Sequence, residues 1–357
     1  MIYSKSSVLK ELGNWKYEEI KIDNPNQDQA LVKIHSCGIC STDVVRSMKV
    51  GFYSYPIVPG HEMVGTVYKL GKDCKDLKEG DNVCVYPLIT KCSPINDLSC
   101  SCLDLDHLST QNLCQSYDFL GSRSNGGYSE FVLSPIVNLV KINDKISKDL
   151  AVFTEPAAVA LHAFEIARKY NKFESVLILG LGPIGVLVAN WCKLNQIPLV
   201  VGVDRNDHRF KNFKNSGYSS QIDTSKFAIE EEVKKFSPKG FEVVFECTGS
   251  EEMLNRGINS LRPKGHLVIL SNQIKKASLD HKSLNNIIRK EINITGSWSS
   301  TIYPKNEWKY SMSGLIDFQS NISDLLSHRY KFSDCDKIFK DMYNKEFKFS
   351  KVVLYPD

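Results

Sequence analysis

The sequence carries no strong excess of charge of either sign: 45 Lys and Arg against 41 Asp and Glu leave +4 over 357 residues. Because the two signs are interspersed, no basic footprint for nucleic acid or for a membrane surface stands out, whereas a small anionic substrate is compatible with the balance. There is also no long run of membrane-spanning character. The one uncharged stretch of that length, Ser175 to Cys192, has three glycines and a proline at its middle; it reads as a buried strand, a turn and a helix. Met1 to Lys10 contains no apolar core of signal-peptide length. Internal repeats, low-complexity tracts and long flexible linkers are missing as well. Cysteine is not scarce, but eleven is an odd number. Without a secretion signal it argues for reduced thiols and metal ligands over a disulfide framework, and the expected location is cytoplasmic.

What is present suffices for two domains of ordinary size, with 42% apolar residues to fill both cores. The organising stretch is the strand from Ser175 to Leu179, which breaks into Gly180, Gly182 and Gly185 and continues through Pro183 and Ile184 as a helix. Backbone N–H groups and the positive helix end then point at one place, which suits a pyrophosphate. A second apolar strand, Leu199 to Val203, runs into Asp204, 19 positions after Gly185. A carboxylate there accepts both hydroxyls of an adenosine ribose and repels a 2′-phosphate, so NAD is expected rather than NADP. Arg205 and Arg209 belong to the same neighbourhood, and Arg205 weakens the exclusion of phosphate.

Strands expected at 175–180, 199–204, 241–248 and 266–271 alternate with helical runs at 183–196, 207–215, 226–236 and 251–261, and residues 151–167 read as a helix ahead of them. Such alternation builds a parallel sheet with helices on both faces. The strand from Phe241 ends at Thr248-Gly249 and the next at Leu270-Ser271, on the carboxyl edge where such a sheet holds its nucleotide. All four are candidate cofactor neighbours; Thr248-Gly249 reads equally well as a helix cap and turn.

Residues 1 to about 36 are β-rich, with short alternating pieces such as Gln29 to Ile34 and turn signals between them. Two motifs follow, Cys37-Gly-Ile-Cys40-Ser-Thr42-Asp43 and Gly60-His61-Glu62-Met-Val-Gly65. A thiolate, an imidazole and a carboxylate are ligands that zinc prefers. Two other readings of Cys40 stay open at this point, a buried structural thiol and a Cys-x-x-Cys redox pair, although nothing around it looks like the small βαβ domain of a thioredoxin.

Gly38-Ile-Cys-Ser-Thr-Asp43, Gly60 to Gly65, Glu79-Gly-Asp-Asn-Val83, Gly126-Gly-Tyr-Ser-Glu-Phe-Val132 and the glycine turn together resemble the zinc-dependent medium-chain dehydrogenase/reductase family over essentially the whole chain. Tyr117 to Arg123, Thr154 to Ala157, Leu161 to Phe164, Ile294 to Trp298 and Lys351 to Pro356 are similar to its polyol branch, above all to members acting on galactitol 1-phosphate. The resemblance implies a Rossmann doubly wound sheet over 151–290, which binds NAD, and a β-rich GroES-like catalytic domain from 1–150 and 291–357, with an active cleft between the two. It implies Cys40 and His61 as catalytic zinc ligands, Glu155 as a carboxylate ligand directly or through water, Glu62 beside the metal, and Thr42 in passing on the alcohol proton. It further implies a structural zinc lobe; here Cys92, Cys100, Cys102 and Cys114 are available, at spacings that depart from the family's even pattern. Four thiolates would fill zinc and pin a loop.

On this reading a secondary alcohol of a polyol or polyol phosphate is oxidised by hydride transfer to NAD, with zinc as Lewis acid. Arg46 is the leading candidate for a substrate phosphate, assisted by Lys49 and Arg123, because a guanidinium makes paired hydrogen bonds to phosphate oxygens. Trp298 is a candidate wall of the substrate pocket. By analogy a homodimer or homotetramer is expected. The alternatives are a dehydrogenase of unphosphorylated polyols and, more remotely, a non-catalytic NAD- or zinc-binding protein.

Overall fold

In the computed structural model, which describes every residue except 73, 75, 91–110, 171, 273–275 and 304, the alternation expected at residues 29–34 extends into a full strand, Gln29–Ile39. Ala30, Val32, Ile34, Cys37 and Ile39 are buried in one core cluster. The described residues fall into two units. The first comprises Met1–Glu155, Thr301–Ile316 and Leu326–Asp357; the second comprises Pro156–Ser300 and Asp317–Leu325.

In the first unit, the strands run in the spatial order Leu326–Lys331, Lys351–Tyr355, Gln29–Ile39, Glu62–Leu70, Asn82–Val85 and Leu139–Lys141, with Phe131–Pro135 also pairing with Gln29–Ile39. The antiparallel registers decide which residues meet. Gly38 stands opposite Glu62 on one side and opposite Val353 on the other. The end of the central strand therefore lies between the beginnings of its two neighbours. Since the central strand stops at Ile39, Cys40 becomes the first residue beyond it and precedes the short helix Ser41–Val45.

In the second unit, six parallel strands run in the order Gln221–Asp223, Leu199–Asp204, Ser175–Leu179, Phe241–Glu246, Leu261–Ile269 and Asn293–Gly296. In chain order this is 3-2-1-4-5-6, whose winding reverses between Ser175–Leu179 and Phe241–Glu246 and opens a crevice at their carboxyl ends. The helices Pro183–Leu194, Asp207–Asn215, Ile229–Phe236 and Glu251–Ser260 agree with the expected runs to within a few residues.

The bounds differ from expectation at the C-terminal side. Residues 291–357, expected to belong to the catalytic domain, begin with the strand Asn293–Gly296, which pairs in parallel with Leu261–Ile269 at the edge of the second sheet. Pairing with a neighbour that the periodicity cannot identify assigns it there. Helix Glu307–Ile322 spans both units, since residues up to Ile316 cluster with the first and Asp317–Leu325 with the second. Among the described residues, no helix is long and apolar enough to cross a membrane.

Candidate active site

The strand registers bring three separated parts of the sequence to one point. The ligand atoms of Cys40, His61 and Glu62 lie within 4.8 Å of one another, the last two buried. Gly38 is the condition for this approach, because a Cβ there would run into the Glu62 carboxylate. From the other neighbouring strand comes Lys351, which sequence reasoning did not single out as a site residue. Its Nζ donates to both Glu62 oxygens, at 2.5 and 2.7 Å, and to the Ile39 carbonyl at 3.3 Å. Side-chain exposures of 4% and 1% make this a buried ion pair. Burial alone would lower the Lys351 pKa, but the Glu62 charge outweighs it and the pKa is raised.

Behind His61 stands Asp43, quoted in the motif but given no role. Its Oδ1 is 3.2 Å from His61 Nδ1, off the line of a good hydrogen bond, so the contact is chiefly electrostatic. Its Oδ2 accepts from the Tyr128 hydroxyl at 2.8 Å and from the Cys40 backbone N–H at 3.3 Å. Burial works against a charged His61, yet the Asp43 carboxylate and Cys40 raise its pKa well above the ordinary histidine value. Phe119 packs edge-on against the imidazole, with ring centroids 5.7 Å apart. Thr42 Oγ1 donates to Cys40 Sγ at 3.1 Å.

Glu155 is buried in the first turn of helix Thr154–Tyr170, where the positive helix end favours a carboxylate. It is not among the groups within 4.8 Å, but His61, Glu62, Lys351 and Asp43 all act on it electrostatically. Burial dominates and pushes its carboxyl up to about 7. Of the proposed cysteine lobe, Cys92, Cys100 and Cys102 lie outside the described residues. Cys114 is buried, its Sγ 3.5 Å from the Ser116 carbonyl.

Arg46 caps the C-terminal end of Ser41–Val45, and Lys49 is exposed in the turn that follows. The Arg46 guanidinium donates to the Gly51 carbonyl at 3.3 Å and lies 4.9 Å from the Tyr53 ring centre. Arg123 is 4.2 Å from the same ring and 4.4 Å from that of Tyr117. Tyr53 was not anticipated, because only the tertiary structure shows that two arginines share it. Trp298 belongs to the second unit and is 37% exposed.

The second unit brings the other candidate set to the carboxyl edge of its sheet. Gly180 turns the chain with φ +92°, and helix Pro183–Leu194 starts three residues on, with Gly182 as its N-cap. Above the Gly182 backbone a Cβ would meet nothing within 4 Å, whereas one on Gly180 would meet Thr248 Cγ2 at 2.7 Å. Asp204 accepts from the Leu181 N–H at 2.8 Å, from the Arg205 and Asn206 N–H groups at 2.8 and 2.9 Å, and from Arg209 at 3.2 Å. Those contacts pin the carboxylate beside the glycine turn; the Arg205 side chain is exposed. Thr248 and Gly249 are held by Glu246, which accepts from the Thr248 hydroxyl, from the Thr248 N–H at 2.7 Å and from the Gly249 N–H at 3.2 Å. Leu270 N–H donates to the Glu246 carbonyl at 3.0 Å, with Ser271 next in the chain. Gly185 and Ile184 lie in the first turn of the helix.

Comparison with known proteins agrees with both halves. Residues 26–144 match the alcohol dehydrogenase GroES-like domain, and residues 183–317 match the zinc-binding dehydrogenase domain. The chain is 27% identical over 334 residues to galactitol 1-phosphate 5-dehydrogenase of Escherichia coli K12, covering 93% of each. It is 29% identical over 354 residues to sorbitol dehydrogenase of Halalkalibacterium halodurans, covering 96% of each. The crystal structure of galactitol-1-phosphate dehydrogenase from Escherichia coli superposes with a TM-score of 0.85 at 25% identity, covering 99% of this chain and 100% of that one. The doubly wound parallel sheet, the GroES-like β domain, the two matched domains and full-length similarity to polyol dehydrogenases lead to one conclusion: the chain belongs to the zinc-binding medium-chain alcohol dehydrogenase family and is an enzyme acting on a small molecule.

Proposed function

We propose that this enzyme oxidises a secondary alcohol of a sugar-alcohol phosphate, galactitol 1-phosphate or a close analogue, to the ketose phosphate, using NAD and zinc. The observation that carries the reading is the convergence of Cys40, His61 and Glu62 within 4.8 Å. A thiol, an imidazole and carboxylates form a donor set suited to zinc. Cys40 and His61 would hold the ion, and Glu155 would add a carboxylate directly or through water. Glu62, already gripped by Lys351, would stand behind it. When bound, zinc supplies a Lewis acid that lowers an alcohol's pKa, and NAD supplies the hydride acceptor.

The chain's own residues bind and orient. The Asp43 carboxylate faces one ring nitrogen of His61 at 3.2 Å and would leave the other for the metal. Thr42 commits its own hydrogen to the Cys40 sulfur, so its lone pairs can accept a hydrogen bond from the substrate's hydroxyl and orient it. The turn from Gly180 to Gly185 and the helix behind it would cradle the pyrophosphate. Asp204 would accept the ribose hydroxyls, bordered by Arg205 and Arg209, and Thr248, Gly249, Leu270 and Ser271 would line the rest of the crevice. Arg46, Lys49, Arg123 and Trp298 are the substrate-side candidates. Edge strand Asn293–Gly296 with exposed Ile294 supports a homodimer built on that edge. Buried thiols at Cys37, Cys84, Cys192 and Cys335 fit a cytoplasmic protein. The second reading, oxidation of unphosphorylated polyols, is favoured by the similarity to a sorbitol dehydrogenase.

The test is NADH appearance with galactitol 1-phosphate, other hexitol and pentitol phosphates and the matching free polyols, before and after zinc chelation. Turnover of phosphorylated substrates that chelation abolishes is the expected result. Turnover of free polyols alone would replace the first reading with the second, and turnover indifferent to chelation would overturn the metal assignment.

A further inference from the structure

The Cys40–His61 centre has a charged neighbour in the same unit. We propose that Arg46 and Arg123, converging on Tyr53 with Tyr117 beside them, form a built site for the phosphate monoester of the substrate, with Tyr53 and Tyr117 as the residues that position the two guanidiniums. For its attachment to a polyol this rests on the reading above.

Two cations share one phenol. The Arg46 guanidinium carbon is 4.9 Å and that of Arg123 4.2 Å from the Tyr53 ring centre, so the charges stand within about 9 Å of each other, closer than the ~10 Å Debye length at 0.1 M salt. Arg46 Nη2 reaches the Tyr53 hydroxyl at 3.5 Å, and Arg123 Nη2 donates to the Tyr117 hydroxyl at 3.2 Å. Among the described residues, neither guanidinium makes an ion pair with a carboxylate. Two close cations held by aromatic faces, with no ion pair to a carboxylate among the described residues, repel each other, and a ligand that neutralises both relieves the repulsion. The field at Tyr53 has that sign. Burial raises the pKa of its hydroxyl, yet the hydrogen bond and charge of Arg46, the charge of Arg123 and a hydrogen bond with Tyr117 hold it below the ordinary tyrosine value.

The cluster is tied to the metal-ligand residues on both sides. Arg46 ends the one-turn helix that Cys40 begins, roughly 9 Å further along at 1.5 Å per residue. The Arg123 N–H donates to the Phe119 carbonyl at 2.8 Å, and the Phe119 ring rests on His61. A polyol phosphate carries its reacting hydroxyl and its phosphate at opposite ends of a short chain, which suits two groups of residues joined by such short stretches of backbone. A phosphate dianion fits better than a carboxylate, because two forked guanidiniums and two phenols offer more donors than two carboxylate oxygens can accept.

The experiment measures kcat/KM of the NAD- and zinc-loaded enzyme for galactitol 1-phosphate, galactitol and galactonate in wild type, Arg46→Gln, Arg123→Gln, Tyr53→Phe and Tyr53→Ala. Calorimetric binding of glycerol 1-phosphate to the same proteins is measured alongside. The expected result is a wild-type preference for the phosphate ester that falls about tenfold or more in either arginine variant, in line with the strength of hydrogen bonds to charged groups. Tyr53→Phe keeps the ring and loses less preference than Tyr53→Ala. Equal losses on phosphorylated and free substrate, or a wild-type preference for galactonate, would overturn the proposal. Should no polyol turn over, glycerol 1-phosphate binding that weakens in Arg46→Gln and Arg123→Gln would sustain the anion site while the polyol reading failed. Binding equal in all variants would sink the site alone.

Discussion

Replacing Lys351 by methionine perturbs the site where its electrostatics are most concentrated. The substitution keeps most of the buried stem and removes the ammonium, so Glu62, 1% exposed, loses both short contacts. Breaking one side of a buried pair costs about 3–5 kcal/mol, because the remaining charge is left without compensation. That corresponds to roughly 10²-fold to several thousand-fold in the folding equilibrium, at 1.4 kcal/mol per decade. Removing both partners leaves no uncompensated charge, so Lys351→Met/Glu62→Leu should recover most of the loss. Urea unfolding of the chelated proteins, followed by circular dichroism, measures all four corners of the cycle at constant metal content. A loss below about 1 kcal/mol in Lys351→Met, typical of exposed pairs, or a double variant no more stable than the single one, would refute the argument that a buried pair governs this corner.

His266 offers a test of pH dependence away from the site. It is 3% exposed, and burial lowers its pKa to about 4. The folded state therefore binds a proton less readily than the unfolded chain. The stability it contributes is fully present above about pH 6.5, falls as pH drops below that value and levels off below about 4, a difference of roughly 3 kcal/mol. Urea midpoints between pH 7 and pH 4.5 should fall less steeply in His266→Gln than in wild type; parallel curves would contradict it. At the nucleotide edge, Asp204→Ala should lower the ratio of kcat/KM with NAD to that with NADP by about tenfold or more, since a carboxylate that repels a 2′-phosphate is lost. An unchanged ratio would remove Asp204 from that role.

Much of this architecture was legible in the residues. The uncharged strand, glycine turn and helix from Ser175 to Leu194, and the helices Asp207–Asn215 and Glu251–Ser260, carry their period locally, and the structure has them within a few residues of the expected bounds. The short strand Gln221–Asp223 was not foreseen, because three residues give alternation nothing to repeat. The residues around the candidate metal site were only half legible. Cys40, His61 and Glu62 announce themselves by ligand type, whereas Lys351 is one lysine among many until a strand register sets it on Glu62. Asp43 and Tyr128 likewise acquire a joint task only when the 2.8 Å bond between them is seen.

The sequence by itself determined the local elements and the chemical kinds available to them: a phosphate-friendly turn, a carboxylate at the end of the next strand, and soft and hard ligands in two short motifs. Tertiary structure alone decided which of these meet. It assigned Asn293–Gly296 to the second sheet and set Lys351 against a glutamate 289 positions away. It also brought Arg46 and Arg123 to one shared phenol. The physical reason is that turn chemistry and side-chain period act over a few residues, while strand pairing and ion pairing depend on distance in space, which chain separation does not encode.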